Sequence, residues 1–533
     1  MGRKLTRSDE SRQDGIDKRP YHVAWNRQTA ASLARSLHSL LLLRAAQDMT
    51  THDLVILGGE VIDGSGAPRY RADIGITGDR ISAIRRDSDP AATPALQGRM
   101  QIDATGRIVA PGFIDVHTHD DTALITNPGM AMKVSQGVTT VVCGNCGASA
   151  APVVTDQLPA LLSLIVRDAA HVAADFAGLA AKVEAAQPAV NSAFLIGHST
   201  LRLAAMGEDL NRPATDAEIE RMRTLLETCL EQGAIGLSSG LFYPPAAAAT
   251  TDEVARIAEP LGRHGALYTA HMRDEGAHIL EALDETFEIG KRSGAAVIVS
   301  HHKCSGRPNF GRMRETLPKI DAARATQDIA FDVYPYIASS TVLLRARIDH
   351  AEKVLVTWSD AVPGVGGRDL ADIAREWGVS VYDAADRLQP AGAIYFTMDE
   401  ADVQAALKHP AAMVGSDGLP LDAHPHPRLW GTFPRVLGHY CRELKLFPLE
   451  EAVHRMTGLS AERFRLHDRG AIRTGAFADL CLFDAETVID TADFTHPTRP
   501  ARGIDTVIVN GEPVWRNGAA TTARPGRVLR RQN

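Results

Sequence analysis

Apolar and polar positions divide the chain into a β-rich beginning, a long centre of alternating elements and a β-rich end. Short alternating runs separated by glycine-containing turns follow one another from residue 53 to residue 110 and return near residue 478, and this pattern is typical of strands. The predicted strands are 54–57, 72–76, 81–84, 108–109, 478–483 and 506–509. We therefore expect one small β-sandwich domain that is assembled from both ends of the chain.

The centre alternates apolar strand patterns with helical periodicity, which favours a parallel sheet. The strands predicted here are 113–116, 139–142, 193–196, 234–237, 266–269, 296–299, 329–333 and 412–414. Amphipathic stretches at 216–232 and 275–293 predict two of the helices between them. Eight such strands are the number that a closed barrel needs, so the pattern predicts the α/β class and a (β/α)8 barrel of the TIM type.

The spacing of these elements also predicts domain boundaries. Residues 49–110 and 465–533 are assigned to the small sheet domain, and residues 111–464 to the barrel. The seventh and eighth strands are separated by about 75 residues, far more than a βα connection requires, so we expect an inserted lid subdomain at about 340–399. Residues 1–48 lack sustained periodicity apart from a short helical pattern near 30–46, and we expect a flexible extension upstream of Met49.

Composition and charge limit the function classes. The 533 residues are 44% hydrophobic and 23% charged, as in an ordinary globular protein, and the formal net charge is −8. An acidic chain without a long basic run is a poor candidate for binding nucleic acid or an anionic membrane. Six cysteines in so long a chain predict no disulfide framework, which favours a reducing, cytoplasmic setting. No run predicts a spanning helix, and no clear signal peptide is present.

Potential metal ligands follow several predicted strands. The first strand runs into His117 and His119, which point to the same side of an extended chain because they are two residues apart. The second strand runs into Cys143 and Cys146, of which Cys143 lies within the apolar run and is interpreted as a packed thiol. Taken alone, neither pair is specific. A His-x-His pair can simply be a polar strand end, and no second cysteine pair follows at zinc-knuckle spacing.

The fifth, sixth and eighth strands add further groups at their carboxyl ends, where barrels of this type place active sites. His271 ends the fifth strand, His301 follows the sixth and Asp417 follows the eighth. Two neutral imidazoles with the Cys146 thiolate form a three-ligand zinc set with an open fourth position, which is typical of a catalytic site. His117 and His119 would complete a second, weaker position beside the first.

Eight motifs together resemble the amidohydrolase superfamily and, within it, the N-acyl-D-amino-acid deacylases. They are Gly112-Phe-Ile-Asp-Val-His-Thr-His119, Gly144-Asn-Cys-Gly147, Gly240-Leu-Phe-Tyr-Pro-Pro245, Ala270-His-Met-Arg273, Ser300-His-His-Lys303, Asp332-Val-Tyr-Pro-Tyr336, Gly415-Ser-Asp-Gly418 and His426-Pro-Arg-Leu-Trp-Gly431. The resemblance covers the chain from about Met49 onward. Many amidohydrolases bridge their metals with a carboxylated lysine, and Cys146 stands in that place here.

The resemblance implies zinc-dependent hydrolysis of N-acyl-D-amino acids to a D-amino acid and a carboxylate. It implies a tight zinc on Cys146, His271 and His301, with a loose or empty site on His117, His119 and the same Cys146. Asp417 would be the general base and acid. The substrate α-carboxylate would contact Tyr334 and Ser340, and the pocket would be lined by Tyr243, Lys303 and Arg428.

Several alternatives stay open from the sequence. Lys303 could be a solvated loop lysine, and Arg428 could stack on Trp430 or pair with a lid carboxylate. Arg273 and Glu275 could form a structural ion pair. A cyclic-amide hydrolase and a non-catalytic scaffold are the competing functions, although all five metal candidates and Asp417 are present. Side-chain preference, occupancy by one or two zinc ions and oligomeric state are not predicted, and D-chirality follows from the resemblance alone.

Overall fold

The described part of the chain alternates strands and helices between residues 51 and 532. The computed structural model describes residues 51–90, 93–154 and 162–532; the predicted extension 1–48 lies outside them. The strands are β1 Thr51–Val61, β2 Tyr70–Thr77, β3 Arg80–Arg86, β4 Gln97–Asp103, β5 Ile108–Pro111, β6 Phe113–Asp115, β7 Val138–Cys143, β8 Asn191–Gly197, β9 Gly236–Gly240, β10 Leu267–His271, β11 Ala296–Val299, β12 Ile329–Val333, β13 Ala338–Val342, β14 Val354–Ser359, β15 Ala391–Phe396, β16 Ala412–Val414, β17 Leu480–Phe483, β18 Ile504–Val509, β19 Glu512–Arg516 and β20 Ala519–Ala520.

Helices follow most of the central strands. They are α1 Ala123–Thr126, α2 Ala131–Val134, α3 Phe176–Ala186, α4 His198–Met206, α5 Asp216–Glu231, α6 Pro244–Ala247, α7 Thr251–Ala258, α8 Pro260–His264, α9 Ile279–Ser293, α10 Met313–Arg324, α11 Arg345–Ile348, α12 Leu370–Trp377, α13 Val381–Leu388, α14 Glu400–Lys408, α15 Arg428–Arg435, α16 Leu449–Met456 and α17 Gly458–Arg463. Short 3-10 turns lie at Leu162–Leu164, Ala169–His171 and Arg307–Asn309, and a π-helix at Val436–Glu443 continues α15. Among the described residues, no helix is both long and apolar enough to cross a membrane.

Eight parallel strands form the centre and confirm the predicted barrel class. They are hydrogen-bonded in the order β16-β12-β11-β10-β9-β8-β7-β6. All of their residues are buried, since the barrel interior covers one face and the helices cover the other. The first and last strands meet through a single bridge between Thr118 and Gly418 and through the Asp417 N–H, which donates to the His117 carbonyl at 2.8 Å. The barrel is therefore nearly closed.

One barrel strand and one helix differ from their predicted bounds. The strand predicted at 234–237 is Gly236–Gly240, because Ser238 and Ser239 continue it although they are polar. Ser239 bonds Tyr268 Oη at 2.8 Å inside the fold, which offsets the burial of its hydroxyl. The helix predicted at 275–293 begins only at Ile279, because the Asp274 carboxylate accepts the Gly276 N–H at 2.7 Å and holds the preceding residues in a loop.

A nine-stranded sheet joins the two ends of the chain, as the pattern predicts. Its order is β20-β19-β18-β17-β5-β1-β2-β3, with β4 paired to β1, and β17 lies antiparallel to β5. The sequence pattern missed β4 because it is largely exposed and lacks an apolar face. The exact domain boundaries stay a prediction.

A second small sheet lies between the seventh and eighth barrel strands. Its order is β13-β15-β14, and α12 and α13 pack with it around a separate apolar cluster. The insertion contacts the barrel mouth through Thr341, whose hydroxyl lies 3.1 Å from Tyr243 Oη. A second contact is the Arg428 guanidinium, which donates to the Ser340 carbonyl at 3.2 Å. The insertion therefore contacts the barrel at the carboxyl ends of its strands.

The seam between β6 and β16 is stabilised by a buried lysine. Lys133 is fully buried, and its Nζ lies 2.8 Å from Asp115 Oδ2, 3.2 Å from Asp120 Oδ2 and 3.0 Å from Ser416 Oγ. Asp115 in turn accepts the Ser416 N–H at 2.8 Å. These contacts link the residues before His117 to the residue before Asp417, where the barrel has only one bridge.

Replacing Lys133 with methionine is expected to lower the free energy of unfolding by about 3–5 kcal/mol, because two buried carboxylates lose their cation. Denaturant unfolding of the metal-loaded protein measures the change. The matched control is Lys408→Met on an exposed helix end, which should stay within about 0.5 kcal/mol of wild type. Equal stability of the Lys133 and Lys408 variants would contradict a structural role for the buried lysine.

Candidate metal centre

Four barrel strands bring five potential metal ligands to one end of the barrel. His117 and His119 follow β6, Cys146 follows β7, His271 ends β10 and His301 follows β11. All five side chains are buried, with exposures of 5% or less. The carboxyl ends of neighbouring parallel strands lie on the same rim, which explains why residues so distant in sequence meet here.

The ligand atoms form two groups that share one sulfur atom. In the first group, donor atoms of Cys146, His271 and His301 lie within 4.8 Å of one another. In the second, donor atoms of His117, His119, Cys146 and Asp417 meet the same limit. Cys146 Sγ lies 3.2 Å from His117 Nε2 and 3.3 Å from His301 Nε2. Cys146 therefore lies between two adjacent positions, as a bridging ligand must.

Backbone geometry aims three of these side chains inward. Cys146, His301 and Asp417 have positive φ angles of 54°, 36° and 50°, a region that residues other than glycine rarely adopt. Such strain concentrates at functional sites, where the surrounding structure holds it. The turn before Cys146 depends on Gly144, because a Cβ there would lie 2.1 Å from the Leu195 carbonyl oxygen. The Gly-Asn-Cys-Gly spacing therefore has a steric cause.

The chemistry of the donors fits a zinc ion. Burial alone would raise the pKa of the Cys146 thiol, but the imidazoles of His117 and His301 outweigh it and hold that pKa well below its usual value. Within the described residues, both ring nitrogens of His271 are buried without a hydrogen-bond partner. Buried polar atoms of this kind need a partner, and a thiolate with imidazole nitrogens is a preferred zinc donor set.

Two carboxylates that the sequence analysis gave no metal-site role hold the histidine rings. Asp332 Oδ1 lies 3.2 Å from His117 Nδ1, and Asp332 also accepts the His301 N–H at 3.0 Å. Glu275 Oε1 lies 3.1 Å from His301 Nδ1. A carboxylate on the outer ring nitrogen fixes the ring and leaves Nε2 for a metal. The sequence feature that could have indicated this role for Asp332 is its position near the carboxyl end of a predicted barrel strand.

The possible ion pair between Arg273 and Glu275 does not form. Arg273 instead donates to Glu285 at 2.8 and 2.9 Å. Glu275 faces the metal ligands, because the loop before α9 turns it toward His271 and His301. Only the tertiary arrangement of this loop separates the two side chains.

Replacing Asp332 with asparagine is expected to weaken zinc binding by about 10–100-fold, because the amide orients the His117 ring less well than a carboxylate. Competition with a chromogenic chelator measures the affinity. Asp328→Asn is the matched control, since Asp328 precedes the same strand at its opposite end and pairs with Arg463. Identical zinc affinities for both variants would remove the role assigned to Asp332.

Asp417 lies beside the ligands and is held as an anion. Its Oδ1 is 3.1 Å from His119 Nε2, and its Oδ2 is 2.9 Å from the Arg428 guanidinium. Burial by itself would raise the pKa of this carboxyl, but Arg428 and His117 lower it well below the usual value. A buried carboxylate at this position can accept a proton from a group bound near the metal ligands.

The residues expected to line the substrate pocket surround Asp417 and His301. Lys303 is buried, and its Nζ lies 2.8 Å from His301 Nδ1 and close to Glu275, so the alternative of a solvated loop lysine is wrong. The Arg428 guanidinium lies 4.5 Å from the centre of the Tyr334 ring. Arg428 therefore stacks on Tyr334 and not on Trp430, and it pairs with Asp417 and not with a carboxylate of the lid.

The remaining two expected pocket residues lie at the edge of the insertion. Tyr243 follows β9, and its ring centre is 4.9 Å from that of His271. Ser340 lies on β13, where its hydroxyl donates to the Ala393 carbonyl at 3.4 Å. The structure thus brings Tyr243, Lys303, Tyr334 and Arg428 to the metal ligands or to Asp417, and it joins Ser340 to them through Arg428.

A parallel barrel with a thiolate between two groups of histidine ligands at its carboxyl rim defines a metal-dependent hydrolase of the TIM-barrel class. The profile of the amidohydrolase family matches residues 101–355 and 345–515, and the chain belongs to that family.

Its relatives cover nearly the whole described chain. A D-aminoacylase of Alcaligenes xylosoxydans xylosoxydans is 54% identical over 91% of this chain and 99% of its own length. A solved D-aminoacylase structure is 52% identical, covers 90% of this chain and 100% of its own, and has a TM-score of 0.87. The N-acyl-D-glutamate deacylase of Bordetella bronchiseptica, solved with zinc and a phosphonate inhibitor, is 46% identical with a TM-score of 0.86 over 90% and 100% of the two chains.

Proposed function

We propose that this protein is a zinc-dependent hydrolase that cleaves the amide bond of N-acyl-D-amino acids. The observation that carries the proposal is the shared thiolate of Cys146 between two groups of metal ligands, in a chain 54% identical to a D-aminoacylase over 91% of its length. The products are a D-amino acid and a carboxylate. The six cysteines are all free and buried, which supports a reducing, cytoplasmic setting for the enzyme.

The zinc would be held by Cys146, His271 and His301, with a second position on His117, His119 and the same cysteine. When bound, zinc supplies Lewis acidity that polarises a carbonyl oxygen and lowers the pKa of water. Asp332 and Glu275 keep the His117 and His301 rings in place, so the ligands need little rearrangement.

Asp417 supplies the proton transfers. Its carboxylate accepts a proton from the attacking water as the oxygen adds to the amide carbon. The same carboxyl then donates that proton to the amide nitrogen as the C–N bond breaks, so the amine leaves neutral and Asp417 is restored as an anion. Arg428, 2.9 Å from Oδ2, orients the carboxylate so that Oδ1 faces the metal ligands.

Substrate binding is assigned to residues at the barrel mouth. Tyr334 and Ser340 contact the α-carboxylate, and Tyr243, Lys303 and Arg428 line the pocket. Arg428 pairs with Asp417 through Nη2, but its Nε and Nη1 have no acceptor among the described residues, so it can still donate to a substrate carboxylate. The insertion contacts this mouth through Thr341 and Ser340, and the residues assigned to the substrate are buried.

The test is amino-acid release by the zinc-supplemented protein from matched N-acetyl-D and N-acetyl-L pairs of methionine, leucine and glutamate. Hydrogen-bonded recognition of the α-carbon substituents should favour the D partners by about 10²-fold or more. The ratio of methionine to glutamate then assigns the side-chain class. Equal release from both series, or ring opening of hydantoin in place of release, would contradict the proposal.

A further inference from the structure

A cavity of about 610 Å³ lies at the opposite end of the barrel from the metal ligands. Ile235, just before β9, and Leu267, at the beginning of β10, form part of its wall, so it opens at the amino ends of the strands. The segment that follows Arg527 closes one side and is bonded to the barrel, where the Arg531 N–H donates to the Gly233 carbonyl at 2.9 Å. Its volume is in the range of small-molecule sites, about 300–1,000 Å³.

The lining of this cavity is strongly cationic. Six arginines and two histidines line it, and none of its lining residues is acidic. Four of the arginines pair with carboxylates that lie behind them. Those pairs are Arg263–Glu227, Arg469–Asp479, Arg527–Asp79 and Arg530–Glu184.

Arg465 and Arg531 have no carboxylate partner in the part of the chain that the structure describes. Arg465 donates to the Gly265 carbonyl. Arg531 donates to the adjacent His264 carbonyl at 2.7 Å and to the Leu230 carbonyl at 3.2 Å, and its Nη2 lies 3.3 Å from His264 Nδ1. The two guanidinium groups are therefore held on the wall of the same cavity by the carbonyls of two consecutive residues. The Nε of Arg531 is also buried, and no described residue accepts a hydrogen bond from it. Like charges held together are destabilising unless an anion lies between them.

The other lining residues fit an organic body attached to such an anion. The Phe464 and Phe477 side chains and the aliphatic Val528 form an apolar part of the wall. Arginine binds phosphate and carboxylate groups through paired N–H donors, which gives geometric specificity as well as charge. We propose that this cavity binds a small organic dianion, a phosphate monoester or a dicarboxylate, between the guanidinium groups of Arg465 and Arg531.

The cavity lies at the other end of the barrel from Asp417, so binding there is distinguishable from binding of a substrate carboxylate. We expect phenyl phosphate or phthalate to bind the zinc-loaded full chain carrying Asp417→Asn, which turns over little substrate, by titration calorimetry while N-acetyl-D-methionine is present at saturation. Binding of phenyl phosphate alone identifies the ligand class as a phosphate monoester, and binding of phthalate alone identifies it as a dicarboxylate. Absence of binding by both probes overturns the proposal.

Single variants locate the site. Arg531→Gln and Arg465→Gln should each weaken probe binding by at least about 10-fold, since each removes charged hydrogen bonds to the anion. Arg473→Gln is the charge-matched control, because Arg473 is exposed, pairs with Asp468 and does not line the cavity. Probe affinity that is the same in all three variants overturns the proposal, whereas a loss confined to the first two supports it.

Discussion

Asp417→Asn is expected to lower kcat by about 10²–10⁴-fold while zinc stays bound, because the amide cannot accept the proton of the attacking water. Asp417 is 7% exposed, and Arg428 and His119 hold its two carboxylate oxygens, so asparagine of nearly the same shape preserves the packing. Steady-state rates on N-acetyl-D-methionine and the zinc content of the same preparation are measured together.

A control variant and the zinc content of Asp417→Asn interpret that result. Asp386→Asn, an exposed carboxylate paired with Arg345 on the insertion, should leave both quantities unchanged. Zinc release from Asp417→Asn would mean that this carboxylate is first a ligand, since its oxygen belongs to the same donor group as His117 and His119. Retention of both zinc and full turnover would contradict the assignment of Asp417 as the general base.

Cys146→Ala is expected to lower zinc affinity by about two orders of magnitude or more and to remove activity. Structural zinc sites are worth about 10–16 kcal/mol over four ligands, so one ligand accounts for about 3 kcal/mol. Among the described residues, Cys146 is the one that belongs to both donor groups, so its loss affects both positions. Competition with a chelator and residual activity at added zinc measure the two effects.

Cys143→Ala is the matched control for that experiment. Cys143 lies three residues earlier, is equally buried, and has a pKa raised well above the usual value by burial, so it stays a neutral thiol packed near Thr118. It should bind zinc as the wild type does. His271→Ala and His119→Ala then separate the two positions, because each removes a ligand from only one group. Loss of zinc in the Cys143 variant alone would reverse the assignment of the two cysteines.

The barrel could be predicted from the sequence because each of its strands is marked by a local run of apolar residues. The strands Ala296–Val299, Ile329–Val333 and Ala412–Val414 have the predicted bounds, since a short apolar run buried on both faces marks a parallel strand directly. Gly236–Gly240 was misplaced because small polar residues continue it. The exposed strand Gln97–Asp103 was missed because its stability comes from pairing with β1 and not from an apolar face.

The metal ligands were accessible for a related reason. Once parallel strands are predicted, their carboxyl ends share a rim, so His117, Cys146 and His301 were expected to meet without knowledge of any distance. The roles of Lys303 and Glu275 were not accessible in this way. A lysine two residues after a ligand can face solvent or the pocket, and only the loop geometry places its Nζ beside Glu275.

The sequence by itself determined the eight barrel strands and the rim on which the ligands lie, because hydrophobic periodicity and parallel topology depend on local residues. The sharing of Cys146 between the two metal positions was implied by the family resemblance. Only the tertiary structure decided which charges pair. Asp332 pairs with His117 across 215 residues of sequence, and Lys133 lies between Asp115 and Asp120. At the far end of the barrel, Arg465 and Arg531 have no carboxylate partner among the described residues. Which charges pair depends on how deeply each is buried and on the free-energy cost of burying it without a partner, and both depend on the whole fold.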